Sequence, residues 1–300
     1  SRFDQHLRQG VQNPQFRQSL SRMKVAGIRA HEWKLASMYT TMVFQKALPN
    51  RVAIIVPFRD LHVEQKRSMH LKQFVPYMVN YMAHCMPKVN FRIYIVEQSN
   101  DGMKFNRGKL LNVGFDVARR AGFTTFIFHD VDLLPSESLR YAYSMFPKSP
   151  HPIHIARVWE RYNANDDYCG GICSWNKADF ERINGFPNNY WGWGGEDDEM
   201  QKRAKACGLR FQPLQQGEIK DLEYMTLEEK LQFLKRQQSG KTDNKWKCMV
   251  KTDLLQEHDA TWKQNGLSDL TYSVNFSDKS LHPSGLASRV NVDLPLNGHW

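Results

Sequence analysis

The chain has 300 residues, 41% of them hydrophobic and 12% aromatic, and a formal net charge of +10. That length suits one large domain or two small ones around a buried core, and no apolar run approaches the roughly 20 residues of a membrane-spanning helix. The basic balance favours an anionic partner; with no zinc-finger or RNP-type motif, nucleic acid is set aside, which leaves a sugar nucleotide or an acidic glycan.

Residues 1–50 are basic, rich in Gln and Met, and read as a stem or packing segment ahead of a domain over 51–300. The run "RVAIIVPFRD" (51–60) predicts a short buried strand stopped near Pro57, where the ring removes a ladder donor. A helix follows over 64–86, a second strand in "FRIYIVEQ" (91–98), and an amphipathic helix in "GKLLNVGFDVARRAG" (108–122), closed by Gly122. "TTFIFHDVDLLP" (124–135) reads as a third strand running into acids. Strand, helix, strand, helix, strand predicts an α/β fold with a mainly parallel central sheet flanked by helices. Ligands of such sheets collect at the carboxyl ends of the strands, which puts Arg59, Glu97, Asp130 and Asp132 along one rim. After about residue 214 the chain turns polar, as a long excursion carrying a helix, and rejoins the domain through "LTYSVNF" and "RVNVDL".

Three stretches carry chemistry. In "HDVDLLP", strand alternation would put Asp130 and Asp132 on one face with Val131 turned away, a pair able to hold a hard divalent cation through oxygen; a solvated pair closing a strand is the alternative. In "FNRGKLLNVGF" (105–115), Arg107 and Lys109 stand at a helix start, where they oppose the helix dipole and suit a diphosphate; a solvated basic helix start is the alternative. In "WGWGGEDDE" (191–199), Trp191 and Trp193 lie among Gly192, Gly194 and Gly195, followed by four acids. Glycines free the backbone to move, and adjacent carboxylates resist shared burial, so this segment predicts a mobile, aromatic-lined site with a carboxylate base. The five cysteines form no paired CxxC pattern, and Asn275-Phe276-Ser277 is a glycosylation acceptor pattern.

Taken together, "VPFRD", "VEQ", "FNRGKLLNVGF", "FHDVDLLP", "YCGG" and "INGFPNNYWGWGGEDDE" resemble, in this order, the β-1,4-galactosyltransferases, closely over about residues 51–213 and again in "NGLSDLTY" (265–272). The resemblance implies a GT-A fold and an inverting, Mn²⁺-dependent transfer of galactose from UDP-galactose to a glycan acceptor with a terminal GlcNAc. It also implies a type II membrane protein of the Golgi lumen, its anchor absent from this chain. On that pattern 51–135 would be the nucleotide-binding half and 136–300 the acceptor-binding half. Pro57, Phe58, Arg59, Phe105 and Arg107 would meet the uridine end of the donor, with Asp130 and Val131 in the same pocket and Arg161 near the diphosphate. Asp132 would bind the metal. Tyr168 would favour Gal over GalNAc, Trp193 would lie over donor and acceptor, and Asp197 would be the general base. Gly195, Glu196 and Asp198 would complete the acceptor site, and a glycine at 195 points to GlcNAc, since the xylose-using enzyme carries arginine there.

The resemblance breaks at the metal. Where the family supplies a histidine, this chain reads "QQGEIKDLEYMTLEEK". If that segment is extended, Asp221, Glu223 and Met225 share a face, and Asp221 and Glu223 could replace imidazole with oxygen ligands; a surface strand touching no metal is the alternative. His258 and His282 are the histidines that a returning excursion could offer. Beside the galactosyltransferase stand a GalNAc-transferring or xylose-directed enzyme and a non-catalytic glycan-binding relative.

Overall fold

The computed structural model describes residues 50–296, except 61–62, 163–167, 237, 240–242 and 245; apart from Asn50, the expected stem segment lies outside the described residues. Strand β1 (Arg51–Phe58) is apolar at every position after its first, as a central strand covered on both faces requires. Strand β2 (Asn90–Gln98) pairs with it on one side and β3 (Thr125–His129) on the other, both parallel. Helix α1 (Arg67–Ala83) links β1 to β2, and α2 (Arg107–Arg120) links β2 to β3.

Alternation along β1 divides the core in two. Val52, Ile54 and Val56 pack with Phe74, Val75 and Met78 of α1, while Ala53 and Ile55 pack with Leu110, Leu111 and Phe115 of α2. Each such large side chain contributes about 1.5–3 kcal/mol on burial. Gly114 lets α2 lie this close to the sheet, since a Cβ there would sit 2.2 Å from Ile55 Cγ2. Asn106 caps α2: its Oδ1 accepts from the Lys109 amide at 2.9 Å, and its Nδ2 donates to Asn188 O at 2.7 Å. That cap fixes Arg107 as the first helical residue.

The further elements that bear on the site or the main sheet are β4 (Leu133–Pro135), β5 (Ile153–His154), β6 (Ile172–Asn176), α3 (Lys177–Arg182), α4 (Glu196–Ala206), β7 (Gln212–Pro213), β8 (Ile219–Asp221), α5 (Leu227–Arg236), β9 (Ser273–Asp278) and β10 (Ala287–Asp293). The eight-stranded sheet runs β9-β10-β2-β1-β3-β6-β5-β7. Its centre, β10 to β3, is parallel, and β6 and β9 join it antiparallel.

One predicted strand is in fact two. β3 stops at His129, residues 131–132 turn, and β4 begins at Leu133. The Asp130 amide donates to Gly171 O (3.1 Å) and the Leu133 amide returns to Asp130 O (3.4 Å), closing the turn. Strand alternation therefore does not apply to Asp130 and Asp132, and the two carboxylates face different partners. β4 pairs antiparallel with β8, Leu133 opposite Asp221.

Candidate active site

The cap at Asn106 and the turn at 130–132 converge with the start of α4. Gly195, at φ +101°, is the residue before that helix, and a Cβ there would lie 2.5 Å from Tyr190 Cε1, so both the conformation and the space call for glycine. Four acids, Glu196 to Glu199, then occupy the first turn, where the helix dipole favours negative charge. Glu196 and Asp197 are buried, Asp198 is exposed, and Glu199 turns away to accept from Arg203 Nε (3.0 Å) and His258 Nδ1 (2.8 Å). His258 is thereby turned to Glu199 and is not among the residues that converge with Asp132, and the exposed His282 bonds locally with Ser284.

Arg107 is the hub of the first network. Its Nε donates to Asp130 Oδ1 at 2.8 Å and its Nη1 to Asp197 Oδ1 at 2.8 Å, with Glu196 Oε1 at 3.4 Å. The Tyr168 hydroxyl donates to the other oxygen, Asp197 Oδ2, at 3.2 Å. Burial, then the charge of Asp197, pushes the Glu196 carboxyl up to about 7. Burial also raises Asp130 to about 6, prevailing over the relief from Arg107 with help from the charges of Asp132 and Asp197. Burial and the same Asp197 charge hold the Tyr168 phenol well above its usual range, so it remains a neutral donor.

A second network lies on the other side of the turn. β4–β8 pairing brings Asp221 beside Asp132, and a bend after Asp221 adds Glu223; one oxygen from each lies within 4.8 Å of the other two. β8 ends at Asp221, so Glu223 arrives through that bend and not through the strand alternation the sequence suggests. The Met225 carbonyl accepts from Arg161 Nη2. Each carboxylate has a cation. Arg67, the first residue of α1, bridges Asp132 Oδ2 (Nη1, 2.5 Å) and Glu223 Oε1 (Nη2, 2.8 Å). Lys230 Nζ meets both oxygens of Glu223 at 2.7 and 2.8 Å, and Arg161 Nη2 meets Asp221 Oδ2 at 2.9 Å. Burial would raise Asp132, but the charge and hydrogen bond of Arg67 prevail and hold it at about 2. Three carboxylates offering only oxygen, at this spacing, suit a hard divalent cation.

Of the other predicted residues, Pro57 and Phe58 are buried at the end of β1, and Val131 is buried in the turn. Arg59 donates to Met103 O (2.6 Å) and Asp101 Oδ1 (3.0 Å), and Phe105 packs half-buried on the α2 side of the core. Glu97 lies at the carboxyl end of β2, opposite Phe58, and is held there by Arg289 and Asn291. Trp193 keeps 41% of its surface exposed, while its backbone is bound on both sides by the returning excursion: its amide donates to Trp246 O (2.6 Å) and its carbonyl accepts from Cys248 N (3.1 Å). Lys230 carries no sequence signal, and Arg67 carries one weak one, a basic residue opening a helix against the dipole.

The mainly parallel sheet flanked by helices, with acids at the turn after β3, is an architecture of the GT-A type. Residues 14–144 match the N-terminal region of glycosyl transferase group 7, and residues 150–228 match a family described as the N-terminal domain of galactosyltransferase. Mouse β-1,4-galactosyltransferase 1 is 39% identical over 165 residues, covering 54% of this chain and 38% of that protein. The Chinese hamster β-1,4-galactosyltransferase 3 is 31% identical over 231 residues, covering 75% of this chain and 52% of that protein. A mutant of Drosophila β-1,4-galactosyltransferase 7, solved in complex with manganese, UDP-Gal and xylobiose, superposes with a TM-score of 0.65 at 28% identity, covering 83% of this chain and 95% of that one. The chain belongs to the β-1,4-galactosyltransferase family. It spans between about a third and a half of the length of the curated relatives it matches.

Proposed function

We propose that this chain is an inverting β-1,4-galactosyltransferase that moves galactose from UDP-galactose to an acceptor glycan ending in GlcNAc. The observation that carries the reading is the junction at residues 130–132, with the Arg107-bound carboxylates of Asp197 and Glu196 on one side and the three converging carboxylates on the other. Inversion is a single in-line displacement, which needs a base on the acceptor hydroxyl and compensation for the leaving diphosphate. Asp197 is the base. Arg107 and Tyr168 each donate to one of its oxygens and so fix its orientation, and a carboxylate accepting two hydrogen bonds still has lone pairs for the acceptor proton. Asp132, Asp221 and Glu223 would hold a manganese ion, which supplies charge neutralisation at the leaving diphosphate.

The other roles follow from position. Pro57, Phe58, Arg59, Phe105 and Val131 form the nucleotide wall, and Arg161 stands near the diphosphate. Trp193 offers its exposed ring to the sugars, as aromatic faces commonly do for flat apolar surfaces. Glu196 and Asp198 take acceptor hydroxyls, and Tyr168 beside Asp197 crowds an N-acetyl group on the donor, favouring Gal. A Golgi-lumenal type II membrane protein is the matching setting, and the acceptor pattern at Asn275 lies on the exposed edge strand β9, open to oligosaccharide transfer. Among the described residues no helix is long and apolar enough to cross a membrane.

An acceptor ending in xylose is the second reading, because the Drosophila neighbour was crystallised with xylobiose. Gly195, which has no room for a side chain, supports GlcNAc. The test is UDP-galactose turnover with free GlcNAc and with a xyloside, in Mn²⁺ and then in EDTA. Transfer to GlcNAc that EDTA abolishes is the expected result, and preference for the xyloside would move the acceptor. UDP-galactose binding without turnover on either acceptor would make the chain a glycan-binding relative.

A further inference from the structure

Arg67 occupies a place that a bound cation would contest. Its guanidinium spans two of the three converging carboxylates, 2.5 Å from Asp132 and 2.8 Å from Glu223, and its side chain is 18% exposed. Lys230 and Arg161 complete the set, so three carboxylates face three cations. A divalent ion held by the same oxygens would need them at roughly 2.0–2.2 Å, where the arginine fork now reaches. It would also bring two further positive charges into a buried cluster that is already neutral, which the interior penalises unless a charge leaves or an anion enters.

We propose that Arg67 is a displaceable internal cation. With no metal bound it holds Asp132 and Glu223 together; when a divalent ion enters with a nucleoside diphosphate, Arg67 yields its place and turns its fork to the diphosphate. A guanidinium suits both duties, since it pairs two-pronged with carboxylate and with phosphate alike. Arg67 can leave without unpicking the fold, because it is the first residue of α1, preceded by Lys66 at φ 52°. Arg67 is thus a positioning residue that couples metal binding to donor binding. The inference rests on the metal reading proposed above.

The test is Mn²⁺ titration of the whole chain, read from the free-ion signal in electron paramagnetic resonance, with and without UDP. In the wild type, Mn²⁺ binds weakly alone and much more tightly with UDP. Arg67→Gln should bind Mn²⁺ alone at least about tenfold more tightly, since removing one neighbouring positive charge is worth that much even when solvent screens the pair as in bulk water, and should lose most of the UDP-driven gain. Arg67→Lys keeps the charge without the fork, so its affinity falls between the two, and it serves as the readout if the glutamine variant does not fold. Unchanged or weaker Mn²⁺ affinity in both variants, with the wild type binding the ion, overturns the displacement and leaves the metal site standing. Failure of every form to bind Mn²⁺, with or without UDP, overturns the metal site itself.

Discussion

Around the turn at residues 130–132, two clusters of three carboxylates meet, and they differ in how many cations each is given. Asp130, Glu196 and Asp197 share the single guanidinium of Arg107. Asp132, Asp221 and Glu223 have Arg67, Arg161 and Lys230. The first cluster is short of positive charge, and burial with mutual repulsion raises Glu196 to about 7 and Asp130 to about 6. The second is balanced, and Asp132 stays near 2, while burial raises Asp221 above the usual carboxylate value. Asp130 and Asp132, two residues apart, therefore end with opposite proton affinities, because charge balance within a few ångströms decides what burial alone would not. The chemistry divides accordingly: proton handling belongs to the uncompensated side, cation binding to the side where each carboxylate has its own cation.

That comparison can be broken most forcefully at Arg107. Arg107→Gln leaves the buried Glu196 and Asp197 and the half-buried Asp130 with no cation and should cost about 3–5 kcal/mol of stability, the range for breaking a buried pair from one side, measured by urea denaturation. A loss under 1 kcal/mol would show that the cluster relieves itself by taking up protons. On the other side, Asp221→Asn combined with Glu223→Gln should weaken Mn²⁺ binding by about 100-fold, roughly 2.7 kcal/mol, with UDP-independent folding intact by circular dichroism. Equal Mn²⁺ affinity in this variant would remove both residues from the metal site.

The two clusters should also titrate with opposite sign. Glu196 has a folded pKa raised from 4.5 to about 7, so the stability it contributes is fully present below about 4.5 and lost as pH rises through 7. Asp132 is depressed from 3.8 to about 2, so its contribution is present above 3.8 and lost as pH falls through 2. Stability followed from pH 5 to 8 in EDTA should therefore decline less steeply in Glu196→Gln than in the wild type. An unaltered slope would place the proton elsewhere. A smaller effect concerns the frame. His154 is buried with its Nε2 donating to Gly170 O at 3.0 Å, and burial lowers it from 6.5 to about 4. Its stabilising contribution, present above 6.5, is lost as pH falls through 4, and His154→Gln should soften acid unfolding in that window.

The two sides were unequally legible in the sequence. The β1–α1–β2–α2–β3 core could be read because both-face burial writes continuous apolar runs and α2 writes an amphipathic one. Arg107 and the acids of α4 could be read because each lies in a long, specific stretch. The second cluster is assembled by β4 and β8, three-residue strands some 85 positions apart, and no local pattern announces such a pairing. Asp221 and Glu223 were reached only through the missing histidine. Arg67 and Lys230, one on a helix start and one inside α5, carry no motif at all. The turn after His129 has no local signal, because the apolar residues Phe126–Phe128 resume at Val131, Leu133 and Leu134 across the acids, and apolar runs do not mark where a ladder stops.

Asp197 provides the most direct test of the account, by steady-state transfer of galactose from UDP-galactose in Mn²⁺ together with UDP binding by calorimetry. Asp197→Asn keeps the side chain's shape and an acceptor oxygen for one of its hydrogen bonds but cannot take a proton. We expect kcat to fall by about 10³-fold, within the range for loss of a general base, while UDP affinity stays within about twofold of the wild type, since uridine and diphosphate are assigned to other residues. Near-normal turnover in this variant would contradict the assignment of the base and, with it, the division of labour between the two clusters.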